Sequence, residues 1–213
     1  MHFLVRTILM QNPNLGGERR MGLPIRQRGF SLIELVLVLF ILLAVAGIAV
    51  PNIATAIANV RLRGSASDLS GLLQNARMLA VKNNATYTLR FGLPNAQGAY
   101  VDLNNNSSFD STEPMIQFGG TVKQVAAPNG SSGTPSALDG AGGLLGWTAV
   151  GGNVSFNPRG LPCDVTKTPC ATGVGYVFYL SDTRASASGW AAVSVTAGGR
   201  TKVWTWSGTG WID

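Results

Sequence analysis

Any chemistry in this chain must come from a short inventory: one histidine, two cysteines and ten acids among 213 residues. The histidine, His2, stands at the start of the chain, far in sequence from Cys163 and Cys170. Structural zinc asks for four ligands, so this set predicts no zinc centre. The cysteines lie in "CDVTKTPC" beside Pro162 and Pro169, which suits a short disulfide loop if the segment meets an oxidising compartment. Cys163 as a nucleophile would lack a histidine base, and there is no Walker loop and no Gly-x-Ser-x-Gly elbow. These absences argue against an enzyme, and no cofactor is required.

One acidic constellation does have ligand spacing. In "DLNNNSSFDSTE", residues 102–113, Asp102, Asn104, Asn106, Asp110 and Glu113 occupy positions 1, 3, 5, 9 and 12 of a calcium-type loop. Ser107 replaces the turn glycine, and two neutral asparagines reduce the charge that attracts a hard cation. The competing reading is a connection between "AYVDL" and "MIQF" whose Asn, Asp and Ser side chains cap turns.

The other unusual acid is Glu34, set in "RQRGFSLIELVLVLFILLAVAGIAV", residues 26–50. From Phe30 to Val50 only Ser31 and Glu34 are properly polar, and this run as a helix at ~1.5 Å per residue reaches about 30 Å, the thickness of bilayer hydrocarbon. An acid at mid-bilayer costs about 2.5–3.5 kcal/mol, less near the edge and in a first helical turn, where the dipole favours negative charge. The net charge of +6 is concentrated upstream: residues 1–29 hold five arginines and one acid, leaving eleven Lys and Arg against nine Asp and Glu in residues 30–213. That asymmetry predicts a cytoplasmic, basic N-terminal flank and gives little support for a nucleic-acid partner.

The elements that would position these residues follow from periodicity. The apolar pattern continues past Pro51 through Ile53, Ile57, Val60, Leu69, Leu72, Leu73, Ala76, Leu79 and Ala80, which predicts one long helix over about 30–83 with a kink near Ala46–Pro51. After Asn84 the period becomes two, in "TYTLRF" (86–91), "AYVDL" (99–103), "MIQF" (115–118), "NVSF" (153–156), "GYVFYL" (175–180), "AAVSVT" (191–196) and "TKVWTW" (201–206). The expected fold is α+β: a long N-terminal helix, its first half transmembrane, its second half packed on an antiparallel sheet. Residues 126–152 read as a Gly/Ser-rich loop. Two plainer readings of the apolar segment stay open. A secretory signal peptide has support in Ala44-Val45-Ala46 before Gly47, and a single-span anchor of a binding module that never polymerises leaves Glu34 without a purpose.

Residues Arg28 to Leu35, "RGFSLIEL", resemble the prepilin signature of the type IV pilin and pseudopilin superfamily, and Pro51 stands at that family's helix-kink position. The resemblance implies a leader, 1–29, removed by a prepilin peptidase between Gly29 and Phe30, with methylation of the new Phe30 amine. It implies a transmembrane and polymerisation segment 30–51, an amphipathic segment 52–84 and an extracytoplasmic β-domain 85–213. It further implies that Glu34 meets the Phe30 amine of a neighbouring subunit in a filament. The stretches "LLQNARMLAVKNNATYTLRF" (72–91), "VSFNPRGLP" (154–162) and "AVSVTAGGRTKVW" (192–204) resemble the H-type pseudopilin and FimT family. That branch implies a minor, non-enzymatic subunit of a type II secretion pseudopilus or type IV pilus, held in the inner membrane, which initiates or caps the fibre. Some FimT-type minor pilins take part in DNA uptake through a Gly-Arg-x-Arg motif. Here Gly199-Arg200-Thr201-Lys202 resembles it, with Lys replacing the last Arg and losing bidentate phosphate geometry. The alternative at Arg200 and Lys202 is a solvated hairpin turn, with alternate residues of 203–206 in the core.

Overall fold

In a computed structural model of the chain, the structure describes residues 29–125, 148–149, 153–164, 170–173, 175–185, 189–208 and 210–212. The expected leader lies outside them except for Gly29, as does the expected loop 126–152 except for residues 148–149. The chain divides into two compact units, Met1–Leu43 and Ala44–Asp213.

Helix α1 spans Leu32–Lys82, within two residues of expectation, and is unbroken at Pro51. It opens with the Leu35 N–H donating to the Ser31 carbonyl at 3.1 Å. It closes through Asn84, whose φ of 49° is a left-handed conformation that asparagine tolerates. The Ala85 N–H then donates back to the Ala80 carbonyl at 3.1 Å, satisfying an acceptor that the helix end would otherwise leave open. Between Ala58 and Ala80 the buried residues recur at three and four, including Leu62, Ala66, Leu69, Leu73 and Ala76. Small and large side chains mix along this stripe, which lets the sheets approach the helix closely.

Twelve strands follow among the described residues: β1 Tyr87–Leu93, β2 Ala96–Asp102, β3 Met115–Gln117, β4 Val122–Val125, β5 Thr148–Ala149 and β6 Val154–Phe156, then β7 Pro162–Asp164, β8 Ala171–Thr172, β9 Tyr176–Asp182, β10 Trp190–Val195, β11 Thr201–Trp206 and β12 Trp211–Ile212. They form two sheets where one was expected. The first runs β3-β2-β1-β6-β7-β8; the second runs β12-β11-β10-β9-β4, with β5 added to β9. The pairings are antiparallel except β5 with β9, and the chain passes from the first sheet to the second at β4, back at β6 and across again at β9. Strands β4, β5, β7, β8 and β12 were not expected, since two to four residues are too few to show a period of two.

Both sheets meet the helix in one core. Leu69 and Leu73 pack with Leu89, Val101, Val154 and Phe156 of the first sheet and with Phe178, Leu180, Val193 and Val195 of the second. Phe91 and Phe178 join the sheets, their ring centroids 5.1 Å apart. The second sheet is buried on its other face too: Val177, Tyr179, Ala192 and Trp204 form a smaller cluster, with Val125, Trp190 and Trp211 packed on it. Residues 203–206 therefore put Val203 against one core and Trp204 in the other, so neither alternating set is left wholly to solvent.

Candidate functional site

At the N-terminal end, Phe30 is 83% exposed, and Glu34 sits exposed in the first turn of α1. Leu32, Ile33, Leu35 and Phe40 around it are also exposed, and α1 is the helix among the described residues that is long and apolar enough to cross a membrane. Further along, the Asn52 side chain donates to the Ile48 carbonyl at 3.1 Å and the Thr55 hydroxyl to the Pro51 carbonyl at 3.1 Å, so polar side chains bond to the backbone around the proline.

The loop from Asp102 to Glu113 does gather its five candidate ligands, and their oxygens have identifiable work. Asp102 is fully buried; its Oδ1 accepts the Asn106 N–H at 3.1 Å, and its Oδ2 accepts the Ser107 N–H at 3.0 Å and Arg90 Nε at 2.7 Å. Glu113, 6% exposed, accepts the Leu103 N–H at 2.8 Å and the Asp110 N–H at 3.0 Å on its two oxygens. Asp110 Oδ2 takes amide protons from Asn104 at 2.6 Å and Asn106 at 3.0 Å. Asn105 and Ser107 adopt φ of 56° and 64° to close the turn. Carboxylates thus replace the ladder bonds that the loop backbone lacks. No group of three or more His, Cys, Asp and Glu suited to a metal occurs among the described residues.

Tyr100, on the strand leading into this loop, packs edge-on against Phe109 at 5.5 Å. Burial raises its phenol above the ordinary value of 10.0, Arg90 opposes that, and Asp102, Glu113 and Asp110 add to it. Cys163 and Cys170 form a disulfide with Cα atoms 5.5 Å apart, as expected; residues 165–169 inside it lie outside the described set.

The basic turn joins β10 to β11. The Gly199 N–H donates to the Thr196 carbonyl at 2.7 Å, the Thr196 N–H to the Arg200 carbonyl at 2.9 Å, and Arg200 is left exposed. Lys202 points elsewhere: its Nζ lies 4.0 Å from the centroid of the Trp204 ring. That indole is buried and donates Nε1–H to the Ser194 hydroxyl at 2.9 Å. The two candidate cations are therefore not equivalent, Lys202 resting on a core aromatic and Arg200 free to face a ligand.

Sequence reading missed Arg77. This residue lies in the first of the three stretches that carried the branch resemblance, and it touches the other two. Its Nη1 donates to the Gly199 carbonyl at 3.1 Å. A Cβ at Gly199, φ 79°, would stand 2.6 Å from the Gly160 carbonyl oxygen and 3.1 Å from Arg77 Nε. A Cβ at Gly160, φ 74°, would stand 3.0 Å from Val81 and 3.1 Å from Arg77 Nε. Gly199 is required by sterics, and both glycines are favoured by their positive φ. Nearby, Gln74 and Ser70 bond to the Thr201 hydroxyl at 2.9 and 3.2 Å, fastening the helix to β11. The available signal was an arginine one turn before the helix end, with two glycine turns downstream.

A membrane-length apolar helix that starts on Leu32 with an acid in its first turn, and whose later half is the spine of a two-sheet β-domain, defines a pilin-type subunit. Two family profiles match: the type II transport protein GspH over residues 65–199, and the prokaryotic N-terminal methylation motif over residues 25–50. The first covers more than half of the chain, which belongs to the GspH family, a branch of the type IV pilins and pseudopilins. Among curated proteins none matches. Among solved structures, the type IV minor pilin FimU of Pseudomonas aeruginosa strain PAO1 is similar at 16% identity, with a TM-score of 0.43 over 67% of this chain and 87% of that one. A second crystal form of it gives 0.40 at 16% identity, over 66% and 90%.

Proposed function

We propose that this chain is a non-enzymatic minor pseudopilin of a type II secretion system, stored in the bacterial inner membrane with its N-terminus cytoplasmic and its β-domain extracytoplasmic. On this reading the leader 1–29 is cut between Gly29 and Phe30 by prepilin peptidase, and the Phe30 amine is methylated. Segment 30–51 then serves membrane storage and polymerisation, segment 52–84 is the amphipathic spine, and 85–213 is the exposed domain. The carrying observation is Glu34, an exposed acid in the first turn of an apolar helix, one turn from the amine that cleavage would create. A cation from the neighbouring subunit's Phe30 would neutralise it as helices bundle, while Pro51 sets the helix geometry there.

The second half of the helix supports lateral packing. Opposite its buried stripe, Ile53, Ile57, Val60, Gly64, Ser67 and Gly71 recur at four and three and are all exposed. This uncharged face, with two glycines that admit close approach, suits another helix. The GspH match favours the secretion system; a type IV pilus is the alternative, in which the subunit likewise initiates or caps the fibre. DNA binding through Arg200 and Lys202 is a further reading, weakened by Lys202 lying on Trp204. Calcium at Asp102, Asn104, Asn106, Asp110 and Glu113 is likewise secondary to their role in capping the loop.

Mass spectrometry of the membrane protein should find a methylated Phe30 N-terminus; an intact leader, or a start at Gly47, overturns the reading. Glu34→Ala should insert into the membrane normally yet fail to enter filaments. Deleting the gene should stop protein secretion and spare pilus extension, and the reverse outcome would place the subunit in a pilus. A gel shift at low salt in which the wild type and Arg200→Ala move identically would remove the DNA reading.

A further inference from the structure

Beside the Arg77 seam lies an open groove of about 530 Å³, lined among the described residues by Gln74, Arg77, Met78, Val81, Lys82 and Arg200, together with the backbone of the β10–β11 turn. This volume is in the range of ligand-binding clefts. Among the described residues its lining carries three cations and no acid. Its floor is aliphatic: Met78 and Val81 are 63% and 51% exposed, more than such side chains favour in water. The C-terminal end of the helix dipole opposes an anion here, and that opposition is reduced because the Leu79, Ala80 and Val81 carbonyls already accept the N–H groups of Asn83, Ala85 and Asn84.

The walls are also fixed in advance. Arg77 is held by the Gly199 carbonyl at 3.1 Å, and Gln74 by the Thr201 hydroxyl at 2.9 Å. A guanidinium anchored through one nitrogen keeps its other donors for a ligand and loses little entropy on binding it.

We propose that this groove docks an acidic peptide segment of a partner protein, whose carboxylates meet Arg77, Lys82 and Arg200 while an aliphatic side chain covers Met78 and Val81. Charge complementarity argues for the acid, and the exposed floor for the aliphatic neighbour. Nucleic acid fits less well. Among the described residues no aromatic ring lines the groove for base stacking, and Trp204, the nearest in sequence, is buried beneath Lys202. The proposal does not depend on which secretion or pilus system contains the subunit.

The test uses the full chain in detergent micelles and fluorescence anisotropy of a short labelled peptide, Gly-Glu-Glu-Leu-Glu-Glu-Gly. Two control peptides replace Leu by Ser or each Glu by Gln, and a thymidine oligonucleotide is run in parallel. Lys82 and Arg200 are exposed, so reversing them leaves the core intact. Lys82→Glu and Arg200→Glu should each weaken the acidic peptide about tenfold, or ~1.4 kcal/mol, and the Gln peptide should not bind. Val81→Asn should reduce affinity for the Leu peptide but not for the Ser peptide. Absence of binding at millimolar peptide, or equal affinity in wild type and both reversals, overturns the proposal. An oligonucleotide that binds more tightly than the peptide and is lost in the same reversals also overturns it, and makes the groove a nucleic-acid site.

Discussion

Replacing Asp102 by Ala should destabilise the β-domain by about 3 kcal/mol, with or without calcium. The carboxylate is fully buried and serves three donors, two backbone amides and Arg90 Nε. Removing one partner of a buried charge pair costs about 3–5 kcal/mol, because the other charge is stranded. The Arg90 side chain is 23% exposed, so its charge recovers part of its hydration and the cost falls to the lower end of that range. Asp102→Asn keeps an acceptor and the side-chain volume, and should cost about half as much. In a double-mutant cycle, Arg90→Met should cost less when Asp102 is already Ala than when it is present.

The assay is urea unfolding of the full chain in detergent, followed by tryptophan fluorescence, in EDTA and again in millimolar calcium. A calcium loop held a hundredfold above its dissociation constant would stabilise the wild type by about 2.7 kcal/mol. If the carboxylates cap the loop, the wild-type midpoint stays where it is. A loss below about 1 kcal/mol for Asp102→Ala in EDTA, or a loss that emerges only with calcium, would refute the reasoning, given the range measured for buried charge pairs.

Gly199→Ala should cost about 2 kcal/mol, from a positive φ of 79° and a Cβ 2.6 Å from the Gly160 carbonyl oxygen, and should lower the thermal midpoint. Replacing both Cys163 and Cys170 by Ala should cost about 2.5 kcal/mol, the chain-entropy value for a loop closed by a sequence separation of 7, and should abolish the response of the midpoint to reductant. Burial pushes the Tyr179 phenol up to about 12, from 10.0 in the unfolded chain. Its contribution is therefore complete below pH 10 and is lost as pH rises toward about 12, since the unfolded chain gives up the proton first. Urea titrations across that window should show falling stability, with a shallower fall in Tyr179→Phe.

Features that depend on neighbours along the chain were legible. A run of apolar residues is a property of composition, so the limits of α1 came within two residues. Strand β11 was bounded correctly because "TKVWTW" alternates and begins after a glycine turn. Cys163 and Cys170 paired as expected because their separation already restricts where the two sulfurs can go. The N-terminal methylation motif over residues 25–50 was legible as an ordered run of residue types, which needs no tertiary context.

Tertiary structure decided what covers each face. A period of two says that Phe178 and Tyr179 point oppositely but not that both sides are buried, and two cores form because a second cluster closes over Val177 and Tyr179. The split into two sheets separates β1 and β2 from β9, β10 and β11, a choice of partners that a period of two does not encode, and the strands of two to four residues added to each sheet draw their stability from neighbours distant in sequence. Spacing could nominate Asp102 and Glu113 as ligands, but only folding brought Arg90 and four backbone amides to their oxygens. Arg77 showed least of all in sequence: its role exists only where the helix end, Gly160 and Gly199 converge, and the fold sets that meeting whereas spacing does not.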